Sequence, residues 1–200
     1  DLDMFLWFQG ILVNIELSVI IEEKEIYTLA LQGPNSKSLL RDIVGSEIDK
    51  LKFYNFDYFK VLNKNIIISR TGFSKQSGYE LYIESKNHGI NVWDLILEVG
   101  KKFNLKLGCP NLLERVESGL LSYGNDMDQE NSPFDCSLGK FCNLDGNYDF
   151  IGKKNIIEKR KKNPIKHIYR VYFSSNKKIN LCKVELFNSS KKIGKLTSTI

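Results

Sequence analysis

The sequence is poor in the residues that build disulfide frameworks and metal sites. It has two histidines, His88 and His167, far in sequence from any cysteine. No two cysteines have C-x-x-C spacing; they are Cys109, Cys136, Cys142 and Cys182. These spacings argue against a zinc site and against a disulfide-stabilised secreted domain. We expect reduced, mostly buried thiols in a cytoplasmic protein with no bound metal.

Long apolar runs and the common nucleotide and nucleophile motifs are also absent. No window approaches the roughly 18 uninterrupted apolar residues of a transmembrane helix, so no membrane association is expected. The chain has no G-x-G-x-x-G, P-loop, G-x-S-x-G or H-E-x-x-H pattern. The basic run at residues 153–162 lacks interleaved aromatics, so no nucleic-acid partner is expected. It is a solvated helix face or, alternatively, a patch for a polyanionic tail.

The apolar and aromatic content of the sequence suffices for a packed core of mixed helices and strands. Apolar residues make up 42% of the 200 residues, aromatics 12%, and the net charge is +5. Apolar runs bounded by turn residues predict strands at residues 26–31, 53–62, 66–69 and 79–83. Apolar residues at helical spacing predict helices at residues 36–43, 87–103, 112–121 and 153–162. The predicted fold class is α+β.

Several finer expectations follow from local patterns. Residues 11–21 have a β-rich composition. Trp93 lies on a broad apolar helical stripe, which predicts a core position. Asn111 can cap the helix that follows it. On that helix the charged side chains should be solvated or paired with each other; they are Glu114, Arg115 and Glu117.

The most informative stretch is a strand, a loop bracketed by Gly72 and Gly78, and a second strand. Glycine permits unusual backbone conformations and close approach of a ligand. The loop carries Phe73, and the exit strand carries Glu80 between aromatic residues. A carboxylate among aromatics suits a flat heterocycle whose edge donates hydrogen bonds. A hairpin with a surface glutamate is the other interpretation, and spacing alone does not decide between them.

The segment before this stretch, residues 53–62, is rich in aromatics. Two interpretations are open: the aromatics line a ligand cavity, or they pack on a pleated surface. They are Phe53, Tyr54, Phe56, Tyr58 and Phe59.

Asn163-Pro164 marks a predicted boundary between a domain at residues 1–163 and the start of a β domain at residues 164–200. Strands are expected there at residues 168–173, 182–187 and 191–200. Because Asp1 is not a start methionine and Ile200 ends inside an apparent strand, we expect a fragment that lacks both ends of a longer chain.

Four ordered stretches resemble the folate-dependent T-protein family, the aminomethyltransferases of glycine cleavage and their relatives. The family patterns are L-Q-G-P, S-R-T-G-Y with G-x-E-I, R-L-E-A-G with Y-G-N-D, and D-F-I-G-K. The matching residues are 31–34, 69–73 with 78–81, 115–119 with 123–126, and 149–153. The resemblance implies a folate-binding T-protein-like domain followed by the start of a C-terminal β-barrel domain.

Other stretches look like the dimethylsulfoniopropionate (DMSP) demethylase branch of this family; they are residues 6–10, 108–111, 119–127 and 139–142. Aminomethyltransferases carry an Arg-Asp pair where this chain has Pro110-Asn111. The branch resemblance implies methyl transfer from DMSP to tetrahydrofolate, which gives 5-methyltetrahydrofolate and 3-methylmercaptopropionate.

The resemblance also assigns residues. Glu80 corresponds to the carboxylate that binds the pterin of tetrahydrofolate, with Phe73 and Arg70 as further cofactor-binding residues. Tyr82 and Phe56 would hold the cationic sulfonium donor through their aromatic faces. The catalytic Asp of aminomethyltransferases belongs to an N-terminal part that this sequence does not include, so the catalytic residues are unknown.

Two other functions stay open on the sequence. One is aminomethyl transfer in glycine cleavage, which would need a lipoyl carrier protein as partner. The other is a non-catalytic folate-binding module. A homodimer is possible in each case.

Overall fold

A computed structural model describes residues 2–13, 15, 17–109, 112–162, 167–172 and 184–198. The α-helices are α1 (Leu2–Leu12), α2 (Ser36–Val44), α3 (Lys86–Gly100), α4 (Leu112–Ser118) and α5 (Lys153–Lys161). The strands are β1 (Tyr27–Gln32), β2 (Phe56–Val61), β3 (Lys64–Ser69), β4 (Gly78–Ile83), β5 (Glu185–Asn188) and β6 (Lys191–Lys195). Short 3₁₀ turns lie at Ser46–Lys50, Lys101–Phe103 and Gly139–Phe141. The mixture confirms the predicted α+β class.

The chain divides into two compact units. The first contains residues 1–72 and 76–108, and the second contains residues 73–75 and 109–200. The boundary predicted at residue 163 stays a prediction.

A four-stranded antiparallel sheet forms the centre of the first unit. Its strand order is β1-β4-β3-β2, so β4 lies between β1 and β3. Leu29 is opposite Leu81, and Leu81 is opposite Ile68, which places these side chains on one face. The four strands predicted for this region are confirmed.

The β2–β3 hairpin turns through only two residues, Leu62 and Asn63. Both have positive φ, 47° and 64°. This conformation is that of the tight turn whose twist matches a β-hairpin. It fixes the pairing of Val61 with Lys64 and, further along, of Phe56 with Ser69.

One face of the sheet is covered by α2 and α3, and the apolar core lies between them. Its fully buried members include Leu39 and Leu40 from α2, Ile68 from β3 and Leu81 from β4. Burial of apolar surface contributes about 25 cal/mol per Å², which makes this layer the main stabilising element of the unit.

Helix α3 shows where the predicted core was wrong. Ser85 caps its first turn by accepting a hydrogen bond from the His88 amide. Val92 and Ile96 face the core, whereas Trp93 is 40% exposed. The apolar stripe is broader than the contact surface, and Trp93 lies on its outer edge.

The β-rich interpretation of residues 11–21 is also wrong. Ile11 and Leu12 end helix α1, and residues 17–21 form no strand. Residues 13–19 alternate in polarity as a half-buried strand would, but Leu17 and Val19 are exposed, and the described residues of this run pair with no strand.

The second unit is mostly irregular, and residues 124–152, where turn-forming residues are frequent, contain no α-helix. Helix α4 ends at Ser118 rather than at residue 121, and Gly119 follows it with φ of 67°. Asn111, its predicted cap, is outside the described residues.

At the C-terminal end, β5 and β6 pair as an antiparallel hairpin. Residues 168–172 are not a strand, and residues 173 and 182–183 are outside the described part. The continuation of this hairpin into a barrel domain stays a prediction.

A buried ion pair lies in the second unit. The Arg115 guanidinium contacts the Asp126 carboxylate at 2.5 Å, with side chains only 6% and 5% exposed. Arg115 also donates to the Leu120 carbonyl and to Ser198. The expectation that Arg115 is solvated or paired within its own helix is therefore wrong.

Asp126 is surrounded by hydrogen-bond donors. Burial raises its pKa, but donors from Ser198, the Ser122 amide, Thr197 and Arg115 outweigh burial and lower the pKa below its ordinary value. Thr197 and Ser198 donate to Oδ1 at 2.8 and 2.6 Å, and the Ser122 amide donates to Oδ2 at 2.9 Å. The carboxylate is thus held ionised in a buried position.

Candidate functional site

The sheet face that is not covered by α2 and α3 carries most of the predicted site. Antiparallel pairing aligns two rows of side chains across the strands on this face. One row is Phe56, Ser69, Glu80 and Ala30, and the next is Tyr58, Ile67, Tyr82 and Thr28. Neighbouring strands are about 4.8 Å apart, so each row brings its members side by side. The structure therefore places Glu80, Tyr82 and Phe56 on one face of the sheet, with Glu80 and Tyr82 on the same strand and Phe56 two strands away.

Glu80 is half-buried near the middle of this face. Its Oε2 atom accepts hydrogen bonds from the hydroxyls of Thr71 and Tyr82, the latter at 3.3 Å. The Thr71 hydroxyl is also hydrogen-bonded to the Ser69 hydroxyl. Both bonds fall on one oxygen, so among the described residues Oε1 is the atom left to accept from a ligand. The carboxylate is oriented by its neighbours rather than free to rotate in solvent.

Four aromatic side chains of the β2 region are exposed. Phe56 and Tyr58 are 63% and 64% exposed, and the Phe53 and Tyr54 rings contact each other at a tilt of 59° with centroids 4.3 Å apart. Of the five aromatics in this segment, Phe59 alone is buried in the core. Packing on the pleated core therefore accounts for Phe59 but not for the other four.

The two loop glycines act differently from the expectation. Neither Gly72 nor Gly78 has a positive φ. Instead, a Cβ built on either glycine would overlap the side-chain amide of Gln32. Gln32 Nε2 donates to the carbonyl oxygens of Thr71 and Tyr79, both at 3.2 Å. The glycines thus leave room for a glutamine from β1, and this group of residues is called the Gln32 slot below.

Arg70 is not brought to Glu80. Its guanidinium donates to the Leu51 carbonyl at 3.1 Å. It also lies near the buried Tyr79 phenol, whose pKa is raised by burial and partly lowered by the charge of Arg70. Tyr79 belongs to the core face of the sheet, since its ring is fully buried. A cofactor-binding role for Arg70 stays a prediction.

Phe73 falls in the second unit and is 50% exposed. The geometry of the sheet face in the first unit does not include it. Its assignment as a cofactor-binding residue stays a prediction.

The described residues contain no group of three or more His, Cys, Asp or Glu side chains able to hold a metal ion. Nor do they include a helix long and apolar enough to cross a membrane. Of the three described cysteines, only Cys136 is buried; Cys109 is exposed and Cys142 is half-buried, so the expectation of mostly buried thiols is not met among them.

Comparison with known proteins identifies the family. A family model described as the GCVT N-terminal domain matches residues 3–146. The chain belongs to this family. The match covers the whole four-stranded sheet, the Gln32 slot and the Arg115–Asp126 pair.

Two curated relatives represent two activities within the family. The chain is 38% identical to dimethylsulfoniopropionate demethylase DmdA of Ruegeria pomeroyi over 168 residues, which is 84% of this chain and 46% of that protein. It is 37% identical to an aminomethyltransferase of Halothermothrix orenii over 148 residues, 72% of this chain and 41% of that protein. The chain therefore spans a little under half the length of these relatives.

The fold agrees with a solved member of the family. The crystal structure of glycine cleavage system aminomethyltransferase T from Bartonella henselae matches with a TM-score of 0.55 at 16% identity. The match covers 86% of this chain and 71% of that one. At this identity the likeness establishes the T-protein fold alone.

Reasoning from sequence missed two residues of the site, Gln32 and Thr71. Both lie inside recognised motifs, L-Q-G-P and S-R-T-G, but their side-chain partners are 47 and 9 residues away along the chain. One signal was available, the pair Gly72 and Gly78 that brackets the loop. A glycine is also selected where another side chain fills the space that its Cβ would take, as Gln32 does here.

Proposed function

We propose that this protein binds tetrahydrofolate and transfers a methyl group to it from a sulfonium donor, DMSP. The observation that carries the proposal is the Glu80 carboxylate, oriented by Thr71 and Tyr82 on a sheet face with exposed aromatics. The 38% identity to DmdA supports the methyl donor.

The residues fit a pterin. A pterin edge carries several N–H donors, and Glu80 presents one carboxylate oxygen that no described residue occupies. The flat faces of Tyr82, Phe56 and Tyr58 suit stacking against a planar ring or contact with a cation. Small neighbours such as Ala30 and Ser69 leave the carboxylate accessible from above the sheet.

The chemistry requires alignment more than activation. Held by Glu80, tetrahydrofolate would supply N5 as the methyl acceptor, with the electron pair of the carbon–sulfur bond remaining on sulfur and the N5 proton lost to solvent. A sulfonium is already a good leaving group, so positioning of the two reactants supplies much of the rate. In this chain Glu80 orients the acceptor, and aromatic faces hold the cation by about 0.5–2 kcal/mol each.

The first test is tetrahydrofolate binding by Glu80→Gln, measured by calorimetry on the complete polypeptide. The substitution keeps the shape and removes the charge, and we expect a loss of about 1–3 kcal/mol of binding free energy. Glu84→Gln is the matched control, because Glu84 is exposed just beyond the same strand. Equal affinities of Glu80→Gln and the parent protein would remove Glu80 from the site.

The second test is transfer of a labelled methyl group from DMSP to tetrahydrofolate. Aminomethyl transfer from a lipoyl carrier protein is the alternative, favoured by the 37% identity to an aminomethyltransferase. Assaying both donors on the same preparation separates the two: labelled 5-methyltetrahydrofolate supports the demethylase, and turnover with the carrier alone supports the alternative.

A further inference from the structure

The Gln32 slot connects β1 to the strand that carries Glu80. The amide nitrogen of Gln32 has two hydrogens, and its two acceptors are the carbonyls of Thr71 and Tyr79. Thr71 is the residue whose hydroxyl bonds Glu80, and Tyr79 directly precedes Glu80 in β4. One side chain thus holds the backbone on both sides of the carboxylate.

The slot is specific for a long amide. A shorter side chain on β1 would not reach both carbonyls, and a carboxylate would bring two acceptors against two carbonyl oxygens. The neighbouring Gly72 and Gly78 leave no room for a Cβ while the Gln32 amide is in place. The side chain is also only half-exposed, so its hydrogen bonds compete weakly with water.

We propose that Gln32 is a positioning residue: through the Thr71 hydroxyl, it sets the orientation of the Glu80 carboxylate toward the pterin. This inference rests on the proposed tetrahydrofolate-binding function. Gln32 does not touch the ligand; it acts two hydrogen bonds away. A residue that merely stabilised the loop would affect folding but leave no energetic coupling to Glu80.

The test compares Gln32→Met with Gln129→Met. Methionine keeps the length of glutamine but has no N–H donor, and Gln129 is exposed in a turn, so its replacement controls for composition. We expect Gln32→Met to raise the tetrahydrofolate dissociation constant about tenfold, the scale of one lost hydrogen bond. In a Glu80→Gln background the same change should have little further effect, because the carboxylate it orients is already gone.

Three further variants keep the proposal falsifiable if Gln32→Met folds poorly. Thr71→Val removes the hydroxyl and should match the loss, whereas Thr71→Ser keeps a hydroxyl and should restore most of the affinity. Gly72→Ala should displace the Gln32 amide and weaken binding in the same way.

The outcomes separate this inference from the proposed function. If the parent protein does not bind tetrahydrofolate, the proposed function itself is overturned. If it binds, and Gln32→Met keeps the affinity or its loss simply adds to that of Glu80→Gln, then Gln32 only supports the loop and the positioning role is overturned.

Discussion

The first unit buries an apolar cluster between a sheet and two helices, whereas the second buries a charged pair between helix α4 and the turn that carries Asp126. In the first, Ile68, Leu81 and Val92 are at most 1% exposed. Among the described residues of the second, the buried apolar side chains are Cys136 and Leu144, and Arg115 is as buried as either. Regular layers can rely on non-directional burial, while irregular chain needs directional bonds to specify one arrangement.

The strongest way to break this comparison is to remove one member of the buried pair. Arg115→Met should leave Asp126 buried without its cation and destabilise the second unit by about 3–5 kcal/mol. Hydrogen exchange read by mass spectrometry, peptide by peptide, would locate the loss in residues 109–162.

The matched control is Asp145→Asn, which breaks the exposed ion pair with Arg160. Solvent-exposed pairs contribute little, so its exchange pattern should match that of the parent protein. Equal exchange in Arg115→Met and Asp145→Asn would mean that the buried pair does not stabilise the second unit.

The next largest effect is expected in the apolar layer of the first unit. Ile68→Ala should lower the free energy of unfolding by about 3 kcal/mol, through lost burial and the cavity left behind. Ile67→Ala is the matched control, since Ile67 is adjacent but half-buried on the opposite face. Urea titration of both variants measures the difference, and similar costs would contradict the assignment of the two faces.

The smallest expected effect is a difference in the pH at which the two units lose stability. Burial, with a smaller contribution from the Lys64 charge, lowers the pKa of His88 in the first unit. The unfolded chain therefore binds a proton more readily, and the first unit should lose stability as pH falls below about 6.5. Asp126, whose folded pKa is also lowered, keeps its contribution until pH falls below about 3.8.

Urea titrations between pH 7.5 and 5, with roughly half-unit steps, test the first of these windows. The stability of His88→Gln should decline less than that of the parent protein over this range. Identical declines would assign the pH dependence to other groups.

Much of the first unit could be predicted because its signals are local. The apolar runs of β1 and β3, the alternating run of β4 and the apolar stripe of α3 each specify their element within a few residues. The prediction of a core position for Trp93 was wrong, because the sequence shows how wide an apolar stripe is but not how much of it the sheet covers.

The second unit and the details of the site depend on distant partners. Arg115 is buried because Asp126 and Ser198 lie against it, and Ser198 is 83 residues away along the chain. The family resemblance predicted a pterin-binding role for Glu80 but not its hydrogen-bond partners. The structure identifies these as the hydroxyls of Thr71 and Tyr82. The local sequence pattern cannot show which polar residues will form hydrogen bonds or ion pairs with each other, since that depends on loop conformation.

The Gln32 slot has an evolutionary consequence. Gln32, Gly72 and Gly78 share one small volume, so a side chain gained at either glycine requires the amide to leave, and a smaller residue at position 32 frees both glycines to change. These three positions should therefore be substituted together across the family, as a single inherited character rather than as three independent sites.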